Sequence, residues 1–399
     1  MNYEELITNE DILYNSIMNA IDGSKWKPRS QKAFKNVVSF IFSISDILKN
    51  RTYTSNENSH FVTYERGRKR YIETYNIPDR TVRHAICDYI FAPLIKEKII
   101  YDNSASVKDR GVDFARERFE THLHKYYRSH GSNEGYILFG DFSKYYDNIR
   151  HDIAKQQLID LVDGDEFVSW ILDVIFSGFE VDASELSDEE YQEIDEGILN
   201  KLEYPYKKHR HPTKTFKKSI SIGDQLSQQI GIYYPHEIDN YVKIVRSQKY
   251  YGRYMDDWYI MSNSKEELHD LLNEVTEQAS KIGLTVNQNK TRIVPMDSTY
   301  KWLQVKYSLT RTGKVIKRIN PTRVTKMRSK LKKLAFKVQN EGLNYDEVEM
   351  TFKSWMGSYY KLMSKEQRLG MLSLYEDLFN KNIEIVKGDM IITDRNEEH

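Results

Sequence analysis

Two stretches of this sequence carry carboxylates to the ends of apolar runs. In KYYGRYMDDWYIMS, residues 249 to 262, Asp256 and Asp257 separate the β-forming segments Tyr250 to Tyr254 and Trp258 to Met261, which places both acids at the turn of a hairpin. In ILFGDFSKYYDNIR the strand-like Ile137, Leu138 and Phe139 deliver Asp141 at their end. Two strand ends bearing carboxylates suit a pair of Mg²⁺ ions. Magnesium takes hard oxygen ligands, and two ions roughly 3.5–4 Å apart can activate an attacking hydroxyl and stabilise a leaving pyrophosphate. An Asp-Asp pair by itself also reads as an ordinary surface turn.

The elements that must position these acids follow from periodicity. Helical patterns run near 30 to 49, 80 to 100, 110 to 128, 151 to 176, 223 to 246 and 265 to 282, and then at 321 to 340, 345 to 363 and 365 to 381. Short β-like runs fall at 136 to 142, 249 to 261, 291 to 295 and 301 to 318. No Gly-rich turn of a nucleotide-binding parallel sheet accompanies them, so the expected class is α+β with a helical tail. The chain has no internal repeat or low-complexity segment, and Pro and Gly are few.

With 399 residues, 39% hydrophobic and 30% charged, the chain is long enough for two or three lobes. Apolar runs such as VVSFIFSI from Val37 are too short for a bilayer, and the acidic MNYEELITNED carries no signal-peptide pattern; the expected location is cytoplasmic, with no membrane partner. The single cysteine, Cys87 in HAICDYIFAPLI, excludes an internal disulfide or a cysteine zinc site and reads as a small core residue. Lys plus Arg and Asp plus Glu each number 59, so net charge says nothing of a polyanionic partner, but the charge is segregated. Residues 180 to 196 hold nine acids and no Lys or Arg, whereas 311 to 337 hold eleven Lys or Arg and no acid. From Pro321 the basic run reads as a helix in which Val324, Met327, Leu331 and Leu334 face a core, while Arg323, Lys326, Lys330 and Lys333 are candidates to track phosphates.

FGDFSKYYDNI, SIGDQLSQQIG, YMDD, IGLTVNQNKT and KWLQVKYS stand in the order and approximate spacing of the palm motifs of reverse transcriptases, and over residues 75 to 320 the chain resembles that family. The resemblance implies a right-hand polymerase, with fingers and an antiparallel-sheet palm in residues 1 to 319 and a helical thumb in 320 to 399. It assigns Asp141, Asp256 and Asp257 as catalytic metal ligands for two Mg²⁺ ions, with Mn²⁺ as an alternative. It sets Lys290 of NQNKT as the acid that protonates pyrophosphate, and Tyr146 as an aromatic gate under the sugar that rejects a 2′-hydroxyl. PDRTVRHAICDYIFAPLI and SASVKDRGVDFARERF look like fingers motifs, which makes Lys108, Arg110 and Arg80 candidates for the incoming triphosphate. Where many relatives have Gln-Gly followed by Ser-Pro, this chain has Ile222, Gly223, Ser227 and Gln228, with Gly223 and Gln228 backing the nascent base pair. That form resembles diversity-generating retroelement enzymes and defence-associated bacterial groups, including relatives of abortive-infection polymerases.

The implied reaction is RNA-directed DNA synthesis from dNTPs, giving a DNA product on a dedicated noncoding RNA template, with an accessory protein or a second copy of the chain as further candidate partners. About eighty residues follow Asn320, and they hold no RNase H, nuclease or integrase signature. Antiphage defence is the favoured setting, ahead of a diversity-generating element. Three rival readings stay open: template-independent or protein-primed DNA synthesis, an RNA-making polymerase, which Tyr146 argues against, and a catalytically dead palm serving as a nucleic-acid scaffold, which the intact carboxylates argue against.

Overall fold

The computed structural model describes residues 2–55, 59–65, 67–203, 209, 211–386 and 388–395. The chain divides into two compact units: Met1–Phe119 with Tyr136–Ile293, and Glu120–Gly135 with Val294–His399. Each mixes helices with antiparallel strands, an α+β organisation. No described helix is long and apolar enough to cross a membrane.

The first unit opens with four helices: α1 (Tyr3–Ile7), α2 (Glu10–Asp22), α3 (Pro28–Lys35) and α4 (Val37–Lys49). Asn2 and Asn9 start the first two by accepting orphan backbone N–H groups. A hairpin follows, β1 (Ser59–Glu65) with β2 (Arg68–Thr74), then α5 (Ile77–Ile86) and α6 (Ala92–Lys98). Cys87 lies between these helices, fully buried in the core of the unit. The next helix, α7 (Val112–His130), belongs to the first unit as far as Phe119 and to the second from Glu120.

After β3 (Tyr136–Asp141) come α8 (His151–Leu161) and α9 (Glu166–Phe179), where a single helix over 151 to 176 was expected. Asp163 and Gly164 take left-handed backbone angles, φ 53° and 77°, and the Asp165 carboxylate caps the Val168 N–H, so the helix must stop and restart. An inserted segment holds β4 (Val181–Asp182), α10 (Asp188–Glu196) and β5 (Thr215–Phe216), the two strands pairing antiparallel. Then come α11 (Gln225–Tyr233), α12 (His236–Asn240), β6 (Tyr251–Tyr254), β7 (Asp257–Ser262), α13 (Lys265–Lys281) and β8 (Arg292–Pro295). The central sheet has the order β6-β7-β3-β8, and its buried faces pack against the helices through residues such as Leu138, Ile260, Leu268 and Leu271.

The second unit has a three-stranded sheet of β9 (Tyr300–Trp302), β10 (Val305–Leu309) and β11 (Val315–Ile319), followed by α14 (Pro321–Asn340), α15 (Tyr345–Tyr359) and α16 (Lys365–Phe379). The stripe read from the sequence holds: Val324, Met327 and Leu331 are buried with Phe352, Met356 and Tyr375, and Leu334 is half-buried against them. The tail is not wholly helical. Asn380, at φ 52°, ends α16 in a left-handed cap, and the alternating KNIEIV and DMIITD pair as a hairpin, β12 (Lys381–Val386) with β13 (Asp389–Asp394).

Candidate active site

Asp141 is the last residue of β3 and stands directly across the ladder from Asp257, the first residue of β7. The preceding pair, Gly140 and Trp258, explains the glycine: a Cβ there would come within 2.1 Å of the buried indole. The ring thus lies over a bare backbone and brings the two strand ends together. Asp141 is only 4% exposed, while Asp256 is half-buried in the turn between β6 and β7, as the hairpin expectation had it.

That turn is held against its own preference. Met255 adopts φ 56°, a left-handed angle that costs a non-glycine residue on the order of 1 kcal/mol or more. Arg253, 1% exposed, donates to Met255 O at 3.0 Å and Ile232 O at 2.7 Å, and its guanidinium is paired with the fully buried Asp239 at 2.7 Å. Asp256 O in turn accepts from Phe142 N at 3.2 Å, tying the turn to the residue after Asp141.

The NQNKT segment reaches the same place. Lys290 Nζ lies 2.7 and 2.6 Å from the two Asp141 carboxylate oxygens, and Asn287 donates its backbone N–H to Asp141 O at 2.7 Å and its side-chain amide to Oδ2 at 3.2 Å. The Asp256 carboxyl is held above the usual carboxylate range, first by burial and then by the charge of Asp141, with Lys290 and Arg70 pulling the other way. Among the described residues no group of three or more His, Cys, Asp or Glu side chains is gathered as a metal site. The donors are nonetheless hard oxygens from facing strand ends, with mutual repulsion that a divalent cation would relieve, and so they fit such an ion.

Tyr146 sits on the short 3₁₀ turn after β3, half-buried, with its hydroxyl 3.8 Å from the Met255 sulfur; it therefore lies beside the turn that carries Asp256. Arg80, Lys108, Gly223 and Gln228 all line one cavity of about 1420 Å³, together with Lys27, Arg29 and Lys32 from the N-terminal helices. Gly223 has φ +101°, an angle that a side chain would strain, although the space beside it is open to ordinary contact. Its neighbour Asp224 is anchored by Arg83 at 2.7 Å in a pair exposed by 3% and 1%, and Arg83 stacks 3.8 Å from the Tyr75 ring. Gln228 accepts from Ser106 at 3.1 Å. Arg110 is not among the residues lining that cavity: its Nη1 donates to the carbonyls of Tyr101 and Asn103, and it lies over the Tyr101 and Phe114 rings, bracing its own loop.

Sequence reading missed Arg70, Arg253 and Lys201. Arg70, on β2, is a further cation that acts on Asp256, and the run RGRKR around a glycine was its available signal. Lys201 has its partner 128 residues away, and Arg253, paired with Asp239 only 14 residues back, lies in no motif that marks it; neither gave a signal. In the second unit, Lys326, Lys330 and Lys333 are exposed on α14, whereas Arg323 bonds the Tyr359 hydroxyl and lies over its ring at 5.2 Å.

A sequence model of the family described as reverse transcriptase (RNA-dependent DNA polymerase) matches residues 65–307. Among solved structures, telomerase from Candida albicans in complex with a fragment of telomeric RNA is similar at 11% identity and a TM-score of 0.44, over 85% of this chain and 62% of that one. Apo telomerase from Candida tropicalis, truncated from its C-terminal domain, is similar at 13% identity and a TM-score of 0.40, over 70% and 60%. The chain thus spans about three fifths of the length of each. No curated protein matches.

Proposed function

The chain belongs to the reverse transcriptase (RNA-dependent DNA polymerase) family, and from that premise we propose that it extends a primer 3′-hydroxyl with dNTPs on an RNA template. The observation that carries this reading is the register of β3 and β7, which sets Asp141 opposite Asp257 with Asp256 in the adjoining turn. Residues 1 to 319 would serve as fingers and palm and 320 to 399 as thumb. Asp141 and Asp256 would hold two Mg²⁺ ions, with Asp257 as third carboxylate; bound there, the ions supply hydroxyl activation and neutralise charge at the leaving pyrophosphate.

The chain's own groups supply the rest. Arg80 and Lys108, with Arg70, whose charge acts on Asp256, are the cations for the triphosphate. Gly223 lets the backbone come close to the base pair, and Tyr146 rejects a 2′-hydroxyl by contact. Lys290, hydrogen-bonded to Asp141, would give a proton to the leaving pyrophosphate. The cationic cavity wall of Lys27, Arg29 and Lys32 suits an RNA backbone. The Gly-x-x-x-Ser-Gln form of the Gly223 segment supports a prokaryotic enzyme on a dedicated noncoding RNA in antiphage defence.

The test is extension of an annealed DNA primer on RNA with dNTPs and Mg²⁺. Asp256→Asn should abolish extension while leaving folding and RNA binding nearly unchanged. Near-full activity of that variant, or no activity of the parent on any primed template, would overturn the reading.

A further inference from the structure

The inserted residues 180 to 218 carry a core of their own. Val181, Ala183, Leu199 and Phe216 are buried together, and the Tyr191 ring stacks on Phe216 at 4.7 Å. Lys218 closes the carboxyl end of α10 by donating to the carbonyls of Ile194, Asp195 and Gly197 at 2.6, 2.8 and 3.1 Å. The described residues of the segment, 180–203, 209 and 211–218, thus pack as a small folded body.

Both of its arms grip the turn that bears Tyr146. On the first arm, the Asn148 side chain makes a reciprocal pair with Leu199, accepting from its N–H at 2.8 Å and donating to its carbonyl at 3.1 Å. Beside that pair, Lys144 donates to Asn200 at 2.9 Å and Lys201 N donates to Asp147 Oδ2 at 3.4 Å. On the second arm, Ser219 N donates to Ile149 O at 3.0 Å and Ile220 N to the carbonyl of Tyr146 itself at 2.9 Å. Lys201 then continues past the turn. Its ammonium, on a residue 8% exposed, pairs with buried Glu73 of β2 at 2.9 Å, and Glu73 also bonds Ser221 just beyond the second arm.

We propose that Lys201 is a positioning residue for the sugar gate: its backbone bond to Asp147 and its ammonium bond to Glu73 fix the Tyr146 turn against β2, so that residues 180 to 218 set the preference for deoxynucleotides. This rests on the reading of Tyr146 as the gate. The physical basis is the steepness of contact repulsion, because a ring that drifts by a fraction of an ångström admits a hydroxyl it had excluded. Held by bonds on both arms, the turn keeps the ring in place. Selectivity is therefore expected to suffer before catalysis does, since the bonds of Lys201 run to Asp147 and Glu73.

The experiment measures kcat/KM for dGTP and GTP in primer extension by the full chain. Lys201→Met keeps the aliphatic stem and removes the ammonium; the dGTP:GTP ratio should fall about 5- to 10-fold, a loss of about 1.0–1.4 kcal/mol in discrimination. Its kcat on dGTP should stay within about twofold of the parent. Lys201→Arg should restore most of the ratio. The Glu73→Gln/Lys201→Met double variant, which removes both charges of the buried pair, should lose it as Lys201→Met does. Tyr146→Val serves as the reference for an open gate. If Tyr146→Val shifts the ratio while the Lys201 variants keep it, or lose both activities equally, the proposal is overturned and the gate reading stands. If Tyr146→Val leaves the ratio unchanged, the gate reading falls and the proposal with it. Should Lys201→Met fail to fold, Asn148→Ser opens the same arm, and a parental ratio in that variant overturns the proposal equally.

Discussion

Tyr146 holds its hydroxyl beside the Met255 sulfur, between the strand that ends at Asp141 and the turn that carries Asp256. Replacing it with Val should raise ribonucleotide use relative to deoxynucleotide use by on the order of tenfold, about 1.4 kcal/mol of lost discrimination, read in a competition assay; an unchanged ratio would make the ring merely structural. Gly140→Ala tests the other side of the site. A methyl group 2.1 Å from the Trp258 ring cannot be accommodated without moving the indole or the strand, so the variant should lose about 2–3 kcal/mol in denaturant unfolding and most of its extension activity. The three aspartates and Lys290 were legible in the sequence because each sits in a short motif whose order along the chain is itself informative. Arg253 and Lys201 were not, since Lys201 and Glu73 are 128 residues apart and only folding makes them a pair. Arg110 shows the converse: a basic residue in a suggestive motif whose bonds from Nη1 to the carbonyls of Tyr101 and Asn103 brace its own loop, a role that the motif does not announce.

Among the elements, α8 depends on a neutral histidine. His151, at its first position and 6% exposed, lies with Nε2 2.6 Å from Ser219 O, and burial pulls its pKa down to about 4. Because the folded value lies below the unfolded one near 6.5, the neutral ring stabilises fully above pH 6.5, and that stability drains as pH falls from there towards about 4. The expected loss is on the order of 2–3 kcal/mol, and a His151→Gln variant should show a flatter stability curve across that window by denaturant titration. The hairpin turn has its own support in Arg253 and Asp239. Removing one partner of so buried a pair strands the other, so Arg253→Met should cost about 3–5 kcal/mol, whereas the double variant with Asp239→Leu should recover part of it. Long amphipathic helices such as α13 and α14 were readable from their period. The β1–β2 hairpin was not, because its strands are largely exposed and β2 is rich in charge; the short alternation of KNIEIV and DMIITD and the Asp163-Gly164 stop within 151 to 176 were legible signals, the latter because its residue types favour left-handed angles.

For the molecule as a whole, the segregation of charge along the chain has a structural counterpart in each unit. The acids of 180 to 196 lie on the inserted body of the first unit, with α10 exposed except at half-buried Tyr191 and Ile194, while the cations of α14 flank a buried apolar stripe in the second. Lys326, Lys330 and Lys333 are spaced to share one exposed side of that helix. If they follow a duplex backbone, the triple Ala variant should bind RNA–DNA hybrids of different sequence more weakly by similar factors. Its log–log salt slope should fall by about 0.7–1 for each phosphate that a lysine had neutralised, measured by fluorescence anisotropy against salt. A parental slope and affinity would show an ordinary solvated face. The burial of Cys87 lends itself to a different use. As the chain's one thiol, with burial pushing its pKa well up, it is closed to alkylating reagents while the first unit stays folded. Its rate of modification is then a clock for the opening of that unit, and a cysteine placed at an exposed position such as Lys326 would be the single fast-reacting handle for a dye.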